Sequence, residues 1–134
     1  MARRKVTAEN LGAAINDIMK DYQDGMIESV KEVTAQVTKA GAEAVRNSSL
    51  ETFGAMKGRG LKKGRYGTGW TSQVETGRFS AQGVIYNSKY PGLPHLLENG
   101  HAKRGGGRVA GRTHIKPVEE EITRSYIKEM ERAL

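Results

Sequence analysis

The chain has 134 residues, 37% of them hydrophobic, with one Trp, five Tyr and two Phe. That is one domain of ordinary size with a modest core, so neighbouring subunits are expected to contribute to its stability. A formal charge of +7 suits a polyanion or an acidic protein surface as partner, and the absence of cysteine excludes a disulfide framework and thiolate metal sites.

The opening "MARRKVTAEN" carries basic residues with no apolar stretch behind them, unlike a secretory signal. No apolar run approaches the roughly 18 residues of a membrane span. The expectation is a soluble product that is made, or assembled, inside a cell, with no membrane partner. Residues 8–47 then hold seven acidic and four basic side chains, a net of −3. Apolar residues at Met19, Tyr22, Met26, Val30, Val33, Val37, Ala40 and Ala44 step by three and four, which predicts an amphipathic helix. Thr7 suits its N-cap, Glu9 its positive first turn, and Asn47-Ser48-Ser49 its end. Such a helix would be about 60 Å long. It must therefore break near Asp24-Gly25 or lie along another subunit.

Residues 48–68 read as a loop, because "KGRGLKKGR" (57–65) is rich in glycine and carries five basic residues and no acidic one. From Trp70, "WTSQVET" and "RFSAQGVIYN" flank Thr76-Gly77, the pattern of an antiparallel hairpin. "YPGLPHLLENGH" predicts a helical turn or two ending at Asn99-Gly100. "HAKRGGGRVAGRTHIK" (101–116), again with five basic and no acidic residues, reads as a second loop. Pro117 opens a last helix whose first turn carries Glu119, Glu120 and Glu121 and whose stripe is Val118, Ile122, Tyr126 and Met130. A single α+β domain results: a long helix, a small antiparallel sheet with a basic glycine-rich loop, and a C-terminal helix packed on the sheet.

Within the second basic stretch, "GGGRVAGRT" (105–113) spells a P-loop with arginine in place of lysine. A P-loop must follow a buried strand and open a helix, so that backbone N–H groups converge on phosphate. Here "ENGHAKR" precedes it, "HIKP" follows it, and too few residues remain for a βαβ unit. Nucleotide hydrolysis is not expected. His95, His101 and His114 show no H-E-x-x-H spacing. Glu98 near His95 could form an acid/base pair, but no nucleophile accompanies it, so no enzyme activity, cofactor or metal is expected. Non-sequence-specific nucleic-acid binding is the alternative function. Lys57, Arg59, Lys62, Lys63, Arg65, Lys103, Arg104, Arg108 and Arg112 could neutralise phosphates, with Tyr66 and Trp70 stacking on bases.

The stretch "LPHLLENGHAKRGGGRVAGRTHIKPVEEEI" resembles the signature of the gene-product-10-like family of long-tailed bacteriophages, a set of neck and tail-completion proteins. The resemblance rests on Leu93, His95, Leu96, Leu97, Glu98, Gly100 and His101, on the GGRVxGRxHI run ending at His114 and Ile115, and on Pro117 and Glu119. Upstream, "GRYGTGWTSQVE" and "VIYNSKY" are similar to the family's hairpin region. Asn99, Thr113 and Lys63 depart from the common pattern. The resemblance implies a virion structural protein at the head–tail interface, assembled in the host cytoplasm as a hexameric or dodecameric ring. Its neighbours would be head-closure or connector proteins and tail-terminator or tail-tube proteins, with genomic DNA in the channel. The 101–112 segment is then expected to stay mobile until an adjacent ring orders it.

Overall fold

The computed structural model describes residues 7, 10–56 and 61–134. The fold is α+β, with three α-helices and two small antiparallel sheets. Helix α1 (Leu11–Phe53) runs unbroken for 43 residues, about 65 Å at the α-helical rise. It passes straight through Asp24-Gly25, where a break was one of two expectations, because Gly25 is surrounded by open space and nothing forces a kink. It also continues past Asn47-Ser48-Ser49 to Phe53. Ser48 and Ser49 stay helical because tertiary partners hold them: Ser48 Oγ donates to the His114 carbonyl (2.7 Å), and Ser49 Oγ accepts from Trp70 Nε1 (2.7 Å). The N-cap position falls on Asn10 rather than Thr7, and the Asn10 side chain accepts from the Thr7 backbone N–H (2.7 Å).

The face that α1 buries follows the apolar stripe only in part, at Val33 and Val37. Its buried residues are Val33, Thr34, Val37, Thr38, Gly41, Ala42, Val45, Ser49 and Phe53, whereas Met19, Tyr22, Met26 and Ala40 are exposed. Small side chains line this face because two elements approach the helix closely. Strands β1 (Trp70–Thr76) and β2 (Ala81–Asn87) pair antiparallel, from Trp70 opposite Asn87 to Thr76 opposite Ala81. The link between them closes on Gly77 N–H to Ser80 O (2.9 Å). This hairpin lies along α1. A Cβ at Gly83 would fall on the Thr38 hydroxyl, so only glycine lets the strand sit there. The Thr38 hydroxyl donates to the Thr34 carbonyl (2.6 Å), which satisfies a buried polar group within the helix.

Helix α3 (Lys116–Ala133) runs back along α1. Val118 is buried, and Ile122, Tyr126 and Met130 are half-buried along the expected stripe. The Tyr126 hydroxyl is 2.9 Å from Thr34 Oγ1, and Ala133 ends beside Ser29. Ile122 of α3 and Ile85 of β2 converge on Gly41, where an added Cβ would lie 2.7 and 2.8 Å from their Cδ1 atoms. The three elements therefore pack as a wedge over that glycine, and this is where α3 meets the sheet. Between residues 87 and 116 the chain forms a separate small unit. It consists of helix α2 (Leu93–Asn99), strands β3 (Gly100–Ala102) and β4 (Arg108–Ala110), and the turn joining the strands.

Candidate functional site: the Glu98 lock and the basic end

The central core is aromatic and lies near the C-terminus of α1. Phe53, Tyr66, Trp70 and His114 meet edge to face, with centroid separations of 4.8 Å (Phe53–His114), 5.6 Å (Tyr66–His114), 5.9 Å (Phe53–Tyr66) and 6.1 Å (Tyr66–Trp70). Pairs of this geometry contribute about 0.5–1.5 kcal/mol each beyond their burial. Tyr66 and His114 are each only 1% exposed and Trp70 is 4% exposed. Tyr66 and Trp70 therefore cannot stack on nucleic-acid bases. Their rings, which sit beside the basic stretch in sequence, point inward to fill the core.

The polar atoms of this cluster form a chain. His114 Nε2 lies 2.7 Å from the Tyr66 hydroxyl. His114 Nδ1 faces two acceptors, Glu98 Oε1 at 2.9 Å and the Arg112 carbonyl at 3.1 Å, so Nδ1 carries a proton. Glu98 then closes the chain onto the start of α3. Its Oε1 accepts the backbone N–H groups of His114 (2.7 Å) and Ile115 (2.9 Å), and its Oε2 accepts that of Lys116 (2.9 Å). A helix start leaves such donors unsatisfied and carries partial positive charge, and a carboxylate answers both needs. α3 has no side-chain cap of its own, so Glu98 serves as one from 18 residues upstream. Burial raises the Glu98 carboxyl, but the three backbone N–H groups, with the His114 ring facing it, outweigh it and hold the group below the usual carboxylate range. Burial pushes the Tyr66 phenol well up, against the Ser49 hydroxyl, so it remains a proton donor.

Glu98 is positioned by how α2 ends. Pro94 stands in its first turn, and Gly100, at φ 80°, terminates it with its N–H on the Leu96 carbonyl. Leu93 and Leu97 pack against the core, which turns Glu98 toward α3. The chain then runs out through β3, turns, and returns through β4. Gly105, Gly106 and Gly107 all have positive φ (88°, 114° and 81°) and carry that turn, closed by Lys103 N–H to Gly107 O (2.9 Å). Gly111 passes so close to α2 that an added Cβ would lie 2.6 Å from the Gly100 nitrogen. Arg112 N–H then donates to the Leu97 carbonyl (2.8 Å), and His114 enters the core.

One expectation is overturned here. Residues 101–112 are a paired ribbon pinned at its base and not an open loop awaiting a partner, because the three glycines supply the turn that lets the strands pair within the chain. Glu98 pairs with His114 and not with His95, whose Nδ1 instead meets the Asn99 amide (3.3 Å) on the exposed side of α2. The P-loop spelling also resolves: its glycines make a hairpin turn and a backbone crossing, and no strand feeds them into a helix.

The remaining residues singled out from sequence fall on either side of this lock. Leu96 is exposed, His101 is half-buried with its Nδ1 unpartnered, and Pro117 is exposed in the first turn of α3. Lys62, Lys63, Arg65, Lys103, Arg104, Arg108 and Arg112 are all exposed, while Lys57 and Arg59 lie outside the described residues. The Tyr66–His114 bond ties Lys62, Lys63 and Arg65 to the same end of the molecule as the second basic stretch. Arg65 precedes Tyr66, and the Arg112 guanidinium lies 5.1 Å over the Phe53 ring at the end of α1. Arg108 donates to the Asn99 carbonyl (3.1 Å). What sequence reasoning missed is the interior role of Tyr66, Ser49, Phe53 and Asn87, the last joining the Tyr66 carbonyl (3.0 Å) to the Tyr90 N–H (2.9 Å). The Thr34–Thr38–Gly41–Val45–Ser49 spacing was the available signal, had small residues been counted as interior.

The arrangement does little chemically. The Tyr66–His114–Glu98 chain resembles a proton relay in its order of groups, but a substrate cannot reach a histidine and a tyrosine this deeply enclosed. Among the described residues, no group of three His, Asp or Glu could hold a metal ion, and no helix is long and apolar enough to cross a membrane. What the lock does is fix a basic hairpin rigidly at one end of a long helix. No family model, curated protein or solved structure matches this chain.

Proposed function

We propose that this chain is a structural protein of a tailed bacteriophage, a ring-forming component of the neck that completes the tail and joins it to the portal or connector. The observation that carries this reading is that the residues of the resemblance act together. Leu93, Leu97, Glu98, Gly100 and His114 build the lock, and Gly106, Gly107 and Gly111 shape the ribbon it holds. An arrangement that presents a basic hairpin suits a docking component. The exposed cations at that end would face head-closure, tail-terminator or tail-tube proteins, with genomic DNA passing through the channel. The long helix, much of it uncovered, suits contact with further copies.

Non-sequence-specific nucleic-acid binding is the second reading, favoured by the gathering of Lys62, Lys63 and Arg65 with Lys103, Arg104, Arg108 and Arg112 at one end. Electron microscopy and native mass spectrometry of the purified protein, beside a salt titration against duplex DNA, separate the two. A defined ring with negligible DNA affinity at about 0.15 M salt supports the neck protein. A monomer whose tight DNA binding falls steeply with salt supports the alternative.

A further inference from the structure

Strands β1 and β2 make a sheet of only two strands, so each of them is an edge. The hydrogen bonds at the two ends of the ladder fix which backbone groups face outward. Ser88 N–H donates to the Gly69 carbonyl (2.9 Å), and Gly77 N–H to the Ser80 carbonyl (2.9 Å). Bonded pairs alternate along an antiparallel ladder, so between these ends they are Thr71–Tyr86, Gln73–Val84 and Glu75–Gln82. Ser72, Val74 and Thr76 on β1, and Ala81, Gly83 and Ile85 on β2, therefore turn their N–H and C=O groups away from the ladder. Trp70, in the same phase, has its outward carbonyl capped by the Arg46 guanidinium (2.8 Å). Beyond it, among the described residues, no group of the chain bonds to either outward row.

Sheets guard such edges with charge, proline or a bulge. β2 reads AQGVIYN, with no charge and no proline, and its register with β1 is continuous from Asn87 to Ala81. Between β2 and α3 lies an apolar groove of about 250 Å³, walled by Gly83, Ile85, Ile115, Glu119, Ile122 and Thr123. Gly83 has no side chain, so its backbone lines the groove. An extended segment laid there would meet the free groups of Gly83 and Ile85 and cover the apolar wall as a third strand.

The chain itself carries a matching segment. β1 has the same seven-residue length, an unbonded edge of its own, and half-buried Val74 on the face it shares with Gly83 and Ile85. Its one charge, Glu75, meets no like charge on β2 in any register. Pairing β2 with β2 would leave both β1 edges bare, whereas each β1–β2 contact satisfies one edge of each kind. We infer that β1 of one copy adds antiparallel to β2 of a second copy. β1 and β2 already run antiparallel, so strand directions keep alternating across the contact, and each copy gives one edge and receives one. Such a contact repeats until it closes. This rests on the ring reading and names the surfaces that meet.

Proline tests it, because at an outward-facing position it removes no ladder bond. Native mass spectrometry at about 0.15 M salt compares wild type with Ser72→Pro, which blocks the β1 edge, and Ala81→Pro, which blocks the β2 edge. Circular dichroism checks that both variants retain the wild-type helix content. Each variant alone is expected to assemble about tenfold or more weakly. An equimolar mixture should stop at one-to-one pairs, because the intact β1 of the Ala81→Pro chain meets the intact β2 of the Ser72→Pro chain and neither can continue. Cross-linking gives a readout without proline. The chain lacks cysteine, and Gln73, Gln82, Val84 and Tyr86 are exposed. A Gln73→Cys chain oxidised with a Gln82→Cys, Val84→Cys or Tyr86→Cys chain should give, for at least one of the three, the mixed disulfide in preference to either homodisulfide. A ring that persists in both proline variants, or disulfides only between two β2 cysteines, overturns this inference and leaves the ring reading standing. A monomeric wild type overturns both.

Discussion

Glu98 concentrates more of the fold's local logic than any other side chain. One carboxylate satisfies three backbone N–H groups at the start of α3, faces the His114 ring, and sits where α2 hands over to β3. Glu98→Gln keeps the shape but replaces one acceptor oxygen with an NH2 that opposes a backbone donor. We expect a loss of about 2–3 kcal/mol at neutral pH, read by urea unfolding, with the wild-type fold retained. The pH dependence has a definite sign. The folded carboxyl titrates below the usual carboxylate range, so the unfolded chain binds this proton more readily. The stabilisation is therefore complete above the ordinary glutamate value and is lost as the pH falls through the folded one. The gap between wild type and the Gln variant should shrink over that acid window, and a gap that stays constant would show that the charge is not what matters. This residue was legible in the sequence as part of a motif, but its partner was not. Glu98 and His95 are near in the chain and look like a pair, while His114 reaches Glu98 only because the ribbon between them folds back.

At the scale of elements, two glycines in α1 make opposite predictions. Gly41 lies under Ile85 and Ile122, each within 3 Å of where a Cβ would stand, so Gly41→Leu should force the hairpin and α3 off the helix. A cost of about 1–3 kcal/mol is expected from overpacking. Gly25 has nothing within 4 Å and sits mid-helix, so Gly25→Ala should stabilise by roughly 1 kcal/mol through helix propensity. Thermal unfolding followed by circular dichroism reads both changes. The hairpin of β1 and β2, the end of α2 at Gly100 and the stripe of α3 follow the expected patterns, since alternation, turn residues and capping act over a few neighbours. The buried face of α1 follows the expected pattern only in its second half, at Val33 and Val37. Its largest apolar residues near the N-terminus are exposed, and Thr34, Thr38, Gly41 and Ser49 are inside, because close-approaching partners select for small side chains.

For the whole molecule, the aromatic core, the lock, Lys62, Lys63 and Arg65 and the second basic stretch share one end, and the exposed stripe of α1 occupies the other. Replacing Lys103, Arg104, Arg108 and Arg112 by alanine alters exposed residues and should shift the melting temperature by only a few degrees. On the neck reading the same change blocks head–tail joining, which a complementation assay scores as tails and filled heads that remain apart. Infectious particles at wild-type yield would remove the hairpin cations from that role. By itself the sequence determined the α+β class, the order of the main elements, the charge asymmetry and the turn chemistry of the glycines, because each depends on residues within a few positions of one another. Only the tertiary structure decided that "GGGRVAGRT" is a pinned ribbon, that Tyr66 and Trp70 are core and not bait for bases, and which face of α1 is left uncovered. Those outcomes depend on contacts between residues 15 to more than 60 apart in the chain, such as Ser48 with His114 and Tyr66 with His114, and local pattern carries no record of which distant surface will arrive.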